Sequence, residues 1–305
     1  MHNLVKEVPA LKHLGKEDPL SPGTSACIGC LVELSLRFTL RVLGEDVLLF
    51  TAPGCAVTFT LGLGSHSQVR LAQFPALLTN VASLMTGAKR YYRHTGRSTK
   101  TVAFVGDGAT VDIGFQPLSG AAERQENLVY ICYDNEGYMN TGVQRSSSTP
   151  LMARTTTSPV GRKRHGKEQN SKYMPLLMLL HDAPYVATAT IAYTRDYAEK
   201  LSKAMNVKDG LSYIHLFTPC VTGWGIPVDG GLNVCNAAVE TNYFPLWEAE
   251  KGKVRLTQEI TNPRPIREYT DLSRKYAHLT AQDLEQIQEK VNARYAMIRA
   301  LAGQG

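Results

Sequence analysis

Two spacings of apolar residues alternate along this chain. Short, nearly continuous apolar runs at 46–51 (Asp-Val-Leu-Leu-Phe-Thr), 101–105 (Thr-Val-Ala-Phe-Val), 128–133 (Leu-Val-Tyr-Ile-Cys-Tyr), 185–189 and 212–217 (Ser-Tyr-Ile-His-Leu-Phe) predict buried strands. Between them lie stretches where apolar residues recur three or four positions apart, and these predict helices at 31–43, 75–92, 117–123, 172–181 and 197–205. Strand, helix and strand over 101–133 make a βαβ unit, which implies a parallel sheet. After Gly231 the pattern reads as irregular until a last helix, for which Thr280 is the N-cap and Leu284, Ile287, Val291, Tyr295 and Ile298 form one face.

The expected fold is therefore α/β, a doubly wound and mostly parallel sheet with helices on both faces, followed by an irregular C-terminal extension. The boundaries that follow are an N-terminal arm over 1–26, an α/β domain over 27–231 and the extension over 232–305. The arm holds three prolines and no sustained period, and is expected to lie extended on its own domain or a neighbour. Residues 141–172 are rich in Ser, Thr, Gly, Arg and Lys without a period, which predicts a long loop that is either functional or mobile. No internal repeat is visible.

Composition narrows the class. Hydrophobic residues make up 43% of 305, enough for a real core, and the formal net charge of +6 reads as a modest excess spread along the chain. A local cluster, 161–167 (Gly-Arg-Lys-Arg-His-Gly-Lys), reads as a solvated loop, with a docking patch for an acidic protein or a phosphate as the alternative and nucleic acid behind both. The first residues lack the apolar core of a signal peptide, and no stretch approaches the roughly 20 apolar residues of a membrane span. A soluble, cytoplasmic protein is expected, with six cysteines that are reduced thiols, metal ligands or core residues.

The candidate chemistry sits at two strand ends. Gly106-Asp107-Gly108 follows the run at 101–105, and after twenty-six further residues Asn135 follows the run at 128–133. Ligands of parallel α/β sheets gather at the carboxyl ends of strands. Glycines at 106 and 108 would let the backbone turn sharply and approach a ligand. Asp107 offers an anionic oxygen, Asn135 a neutral one and the Gly137 carbonyl a third, a donor set suited to Mg2+. Alone, the Gly-Asp-Gly is also readable as a turn in which Asp bonds its own backbone.

Cysteines form the second candidate. Cys27 and Cys30 make a C-x-x-C, while Cys55 and Cys220 each follow a predicted strand, where a thiolate can face a shared pocket. Four thiolates suit zinc and a [4Fe-4S] cluster equally by count. Cys132, inside a buried run, and Cys235 read as structural.

Taken together, these segments resemble the β subunit of the 2-oxoacid:ferredoxin oxidoreductases, the family of pyruvate:ferredoxin oxidoreductase. The resemblance spans 27–224 and is carried by 26–30 (Ala-Cys-Ile-Gly-Cys), Gly54-Cys55, Gly106-Asp107-Gly108, 133–146 (Tyr-Asp-Asn-Glu-Gly-Tyr-Met-Asn-Thr-Gly-Val-Gln-Arg-Ser), 155–161 and 217–224 (Phe-Thr-Pro-Cys-Val-Thr-Gly-Trp). It implies the thiamine diphosphate-binding fold, with the diphosphate-side residues Gly106, Asp107, Gly108, Ala109, Asn135, Gly137 and Tyr138. It also implies Mg2+ on Asp107, Asn135 and the Gly137 carbonyl, Asn140 as a catalytic residue beside the thiamine ring and substrate, and Cys55 near the cofactor. Cys27, Cys30, Cys55 and Cys220 would hold a [4Fe-4S] cluster.

The implied reaction is oxidative decarboxylation of a small 2-oxoacid, with the thiamine as electron sink, single electrons passing through the cluster to ferredoxin, and coenzyme A or water taking the product. No acidic residue here has the context of the glutamate that activates thiamine, which the family places on a partner α subunit or fused domain. The chain is thus expected to be incomplete without that subunit and, with it, γ or δ subunits or equivalent domains; neither nucleic acid nor membrane is an expected partner. Pyruvate relatives typically carry Thr-Gly before the third cluster cysteine and an aromatic segment after it, where this chain has Pro53-Gly54-Cys55 and then Ala-Val-Thr-Phe-Thr. That departure leaves pyruvate or a near relative such as oxalate as the expected substrate, with His66 and Arg70 either meeting its carboxylate or making ordinary surface contacts. Rival readings are a non-redox thiamine diphosphate decarboxylase or synthase subunit, and a noncatalytic electron-transfer subunit.

Overall fold

The computed structural model describes residues 17–61 and 67–303. Helix α1 (Leu31–Leu43) leads into β1 (Val47–Thr51), a short helix α2 (Cys55–Thr60) and edge strand β2 (Gln73–Pro75). Helix α3 (Val81–His94), β3 (Lys100–Gly106), a π-helical turn (Gly108–Asp112), α4 (Phe115–Glu123) and β4 (Val129–Asp134) follow. A small hairpin, β5 (Val160–Gly161) and β6 (Arg164–His165), precedes α5 (Met174–Leu179), β7 (Tyr185–Thr190), α6 (Thr194–Asn206) and β8 (Ser212–Phe217). The chain closes with α7 (Gly231–Glu240), β9 (Trp247–Glu250), β10 (Lys253–Leu256), α8 (Arg267–Thr270) and α9 (Ala281–Leu301).

Eight strands form one sheet in the order β10-β9-β7-β8-β4-β3-β1-β2, and from β7 to β2 every pairing is parallel. Both faces are covered, which is why the strands read as continuous apolar runs rather than as alternations. Val102, Phe104, Ile131, Ile214 and Leu216 point into one core with residues of α1, α6 and α7. Ala103, Val105, Tyr130, Cys132 and Tyr213 point into the other, with residues of α3, α4 and α5. The register sets Gly106 opposite Tyr133 and Asp134 opposite Phe217, so β3, β4 and β8 end together at one edge.

The expectation of an irregular extension needs correction. Residues after Gly231 supply α7, in which Cys235 is buried, and two strands that extend the sheet, β9 lying antiparallel to β7 with Val186 opposite Ala249. Four-residue strands carry too little periodicity to be read alone; the free edge of β7 gives them their register. Helix α9 is as expected at its start, where Thr280 and Asp283 form a capping box, and on its inner face, where Ile287, Val291 and Ile298 are buried and Leu284 and Tyr295 half-buried. Of the expected arm, residues 1–16 lie outside the described residues; beyond them Leu20 bridges to Val69, and the Arg70 N–H donates to the Pro19 carbonyl at 2.9 Å. Among the described residues, no helix is long and apolar enough to cross a membrane.

Candidate functional site

Because β3 and β4 are parallel neighbours, the residues that follow them meet. Asp107 and Asn135 are both buried, and the amide end of Asn135 lies 3.2 Å from Asp107 Oδ1 and 2.8 Å from the Gly137 carbonyl. As placed, its oxygen faces these two acceptors; turned over, its nitrogen donates to both. Neighbouring oxygens around Mg2+ at roughly 2.1 Å stand about 3 Å apart, so these spacings fit the metal expected there. Burial, and after it the Asp134 charge, pushes the Asp107 carboxyl well above the usual carboxylate range; a bound cation acts in the opposite sense.

The loop after Asn140 holds this pair in place. Ser146 Oγ donates to Asp107 Oδ2 at 2.5 Å, Ser148 Oγ to Asp134 Oδ2 at 2.9 Å and Thr149 Oγ1 to the Glu136 carbonyl at 2.6 Å, while the Ser147 N–H donates to Asp112 Oδ2 at 3.1 Å. Sequence reasoning passed over these four residues as aperiodic loop. Their signal was present as four consecutive hydroxyl side chains shortly after the Asn-bearing segment.

The glycines act otherwise than expected. Neither Gly106 nor Gly108 has a positive φ. A Cβ at Gly106 would stand 3.1 Å from the Tyr133 ring, and one at Gly108 only 2.2 Å from the Tyr138 ring. They make room for aromatic side chains rather than for a sharp turn. Tyr138, thus seated, donates to Asp112 Oδ2 at 3.1 Å.

Behind Asn135 lie two buried polar supports. Trp224 Nε1 donates to the Asn135 carbonyl at 2.9 Å. Asp134 pairs with His215 Nε2 at 2.8 Å, and His215 Nδ1 with the Tyr213 hydroxyl at 2.8 Å. Burial pushes Asp134 up, but the hydrogen bond and charge of His215 outweigh it and hold the carboxyl below its usual value. Glu136, at φ 66°, pairs with buried Lys275, whose ammonium sits 5.1–5.9 Å from the ring centres of Trp224, Tyr243, Tyr269 and Tyr276.

Folding also brings the four selected thiols together. Cys30 precedes α1, Cys55 opens α2, Cys27 lies in the preceding loop, and Cys220 accepts from the Gly223 N–H at 3.1 Å. All four line a cavity of about 260 Å³. Burial pushes Cys30 up to about 11 and Cys55 to about 12, and the charges of neighbouring thiols add to both. Only a strongly cationic guest would hold these four groups together as thiolates. Among the described residues no group of three or more His, Cys, Asp or Glu side chains is placed to hold a metal ion. Cys132 and Cys235 are buried away from it.

A second cavity, of about 110 Å³, is lined by Gly106, Asp107, Gly108, Ala109, Gly137 and Tyr138, and Cys55, Asn135, Met139 and Asn140 border both cavities. Asn140 is exposed at that common wall. The only acid on either wall, among the described residues, is Asp107; the nearby Glu136 is committed to Lys275 and to the Tyr243 hydroxyl.

The remaining candidates behave differently. His66 lies outside the described residues. Arg70 reaches Ser21 Oγ at 3.3 Å and Glu17 at 3.4 Å. The cluster at 161–167 divides: Arg162, Lys163 and Arg164 are exposed on the β5–β6 hairpin, whereas Lys167 is buried and donates to the carbonyls of Ser147 and Thr149, bracing the hydroxyl loop.

Residues 70–216 match the thiamine pyrophosphate enzyme family, C-terminal TPP binding domain. The chain is 43% identical over 278 residues to the NADH-dependent phenylglyoxylate dehydrogenase subunit beta of Aromatoleum evansii, covering 90% of this chain and 62% of that protein. To pyruvate synthase subunit PorB of Methanothermobacter thermautotrophicus it is 42% identical over 279 residues, covering 91% of this chain and 96% of that one. The chain therefore spans less than two thirds of the first relative and nearly all of the second. The solved 2-oxoglutarate:ferredoxin oxidoreductase from Magnetococcus marinus shares the fold, with a TM-score of 0.57 and 24% identity over 68% of this chain and 69% of that one.

Proposed function

This chain belongs to the family of 2-oxoacid oxidoreductase β subunits, and from that premise we propose that it binds thiamine diphosphate and Mg2+ beside a [4Fe-4S] cluster and, with partner subunits, oxidises a 2-oxoacid. The observation that carries the reading is the shared wall of the two cavities, where Cys55 and Asn135 serve both. Asp107, Asn135 and the Gly137 carbonyl would hold the metal, and Cys27, Cys30, Cys55 and Cys220 the cluster. Thiamine diphosphate supplies an electron sink for decarboxylation, and the cluster a one-electron relay toward ferredoxin. Asn140, exposed between the cavities, would orient the substrate, and Ser146 keeps Asp107 aimed at the metal. Four thiols lining one cavity suit a [4Fe-4S] cluster and zinc alike by count, and analysis for iron, sulfide and zinc separates the two.

Among the described residues the walls offer no acid besides Asp107, which supports an active site completed by another subunit. The two relatives are named for pyruvate and for phenylglyoxylate, so the acid itself is decided by assay. The test is reconstitution under anaerobic conditions with the partner subunits, followed by turnover with pyruvate, phenylglyoxylate and oxalate, with ferredoxin as acceptor and with and without coenzyme A. Iron, sulfide and thiamine are measured on the same sample. Turnover by this chain alone, or a preparation rich in zinc and lacking sulfide, would defeat the reading.

A further inference from the structure

The amino ends of the strands, at the edge of the sheet opposite Asp107 and Asn135, carry a separate concavity of about 880 Å³. Seven residues of β3 separate the two ends, roughly 20 Å at the rise of a strand. Four segments meet in this recess. Lys89, Arg90 and Arg93 come from the last turns of α3, and Arg97 and Lys100 from the turn that enters β3; Arg124 follows α4, and Lys208 lies between α6 and β8. Against seven Lys and Arg stand Glu126 and Asp209, a local net of +5. The whole chain carries +6. Five of the seven basic residues lie within 89–100, and folding adds Arg124 and Lys208 to them.

Ordinary structural roles account for part of this charge. Arg93 offsets the dipole at the end of α3, Arg90 and Arg124 share Glu126 at 2.7 and 3.3 Å, and Lys100 Nζ donates to the Val207 carbonyl at 3.3 Å. Among the described residues no carboxylate lies within ion-pair distance of Arg93, Arg97 or Lys208. Burial holds Lys89 below its usual value, and burial, then the Lys89 charge, does the same to Lys100. Cations crowded and partly desolvated in this way are each stabilised by an anion between them.

We propose that this recess is a binding site for an oligophosphate, a compact ligand of two or more linked phosphate groups, either bare or carried by a nucleoside. Guanidinium forks match phosphate oxygens in pairs, and the volume falls within the range of roughly 300–1,000 Å³ typical of small-ligand sites. The cations line one concavity, which favours a compact polyanion over an extended nucleic acid. Their origin in four segments calls for a ligand longer than one phosphate.

The complex with its partner subunits is titrated by calorimetry with sodium tripolyphosphate, adenosine triphosphate and inorganic phosphate, each at two ionic strengths. One saturable site per chain is expected for tripolyphosphate, about tenfold or more tighter than for inorganic phosphate and weakened by salt. Arg93 and Arg97 are exposed, so the Arg93→Gln/Arg97→Gln variant should fold and lose about tenfold in affinity, while Arg162→Gln/Arg164→Gln in the exposed hairpin changes nothing. Tighter binding of adenosine triphosphate identifies a nucleoside-bearing ligand, and equal binding a bare one. Absence of saturable binding, including the case of a partner's acidic segment filling the recess, overturns the proposal, as does equal loss in both variants.

Discussion

Trp224 and Asn135 come from different strand ends, yet the indole N–H of the first donates to the backbone carbonyl of the second at 2.9 Å. The bond ties the Cys220 loop to one of the residues that border both cavities, so the thiol-lined wall and the wall around Asp107 are joined.

Asp107→Ala removes the only carboxylate, among the described residues, on the wall of the smaller cavity, where the metal and diphosphate are proposed to sit. Thiamine diphosphate and Mg2+ should no longer be retained, while the visible absorption of the cluster persists. Ser146→Ala, which frees Asp107 to rotate, should weaken Mg2+ affinity by about 10–100-fold. Equilibrium dialysis with thiamine and iron analysis on the same samples checks both; cofactor retained by Asp107→Ala would refute the metal assignment.

Gly108→Ala places a methyl group 2.2 Å from the Tyr138 ring. Overpacking of this kind costs about 1–3 kcal/mol, and the ring must leave its bond to Asp112. Adding Tyr138→Ala should recover much of the lost stability without recovering activity. Denaturant melts of the single and double variants decide it, and a single variant as stable as the parent would contradict the packing argument.

Lys275 and Glu136 form a buried pair within an aromatic box. Lys275→Met strands the Glu136 carboxylate and should cost about 3–5 kcal/mol, whereas Lys275→Met with Glu136→Gln should cost less. A denaturant comparison that ranks the double variant below the single would exclude a charge-compensating role.

Glu248 is buried, and although burial raises its carboxyl, hydrogen bonds from Lys203 and Tyr185 and the charges of Lys203 and Arg255 bring it below its usual 4.5. A depressed carboxylate contributes stability that is present above that value and fades as the pH falls through the folded value. Glu248→Gln should therefore destabilise the protein at neutral pH and lose most of that penalty in acid. Thermal melts across the acid range test the sign: a penalty that grows toward low pH would reverse the assignment.

Much of the fold was readable because it is written in local pattern. Runs such as Val102 to Val105 are apolar on both faces since both faces of a parallel sheet are covered, and the carboxyl ends of such strands are where Asp107 and Asn135 had to fall. Cys27 and Cys30 stand out as a C-x-x-C, and Cys55 and Cys220 by their place after predicted strands. What stayed hidden depends on partners remote in sequence: β9 has no register without β7, and Gly108 reveals its purpose only through Tyr138. Lys275 meets Glu136 across 139 positions. Lys89, Lys100, Arg124 and Lys208 look like scattered charge until the strand starts assemble them. Residue order carries the periods that build strands and helices, because those arise within a few neighbouring positions; which side chains share a cavity is set by long-range packing, and there lie the wall common to the two cavities around Asn135 and the cationic hollow at the opposite edge.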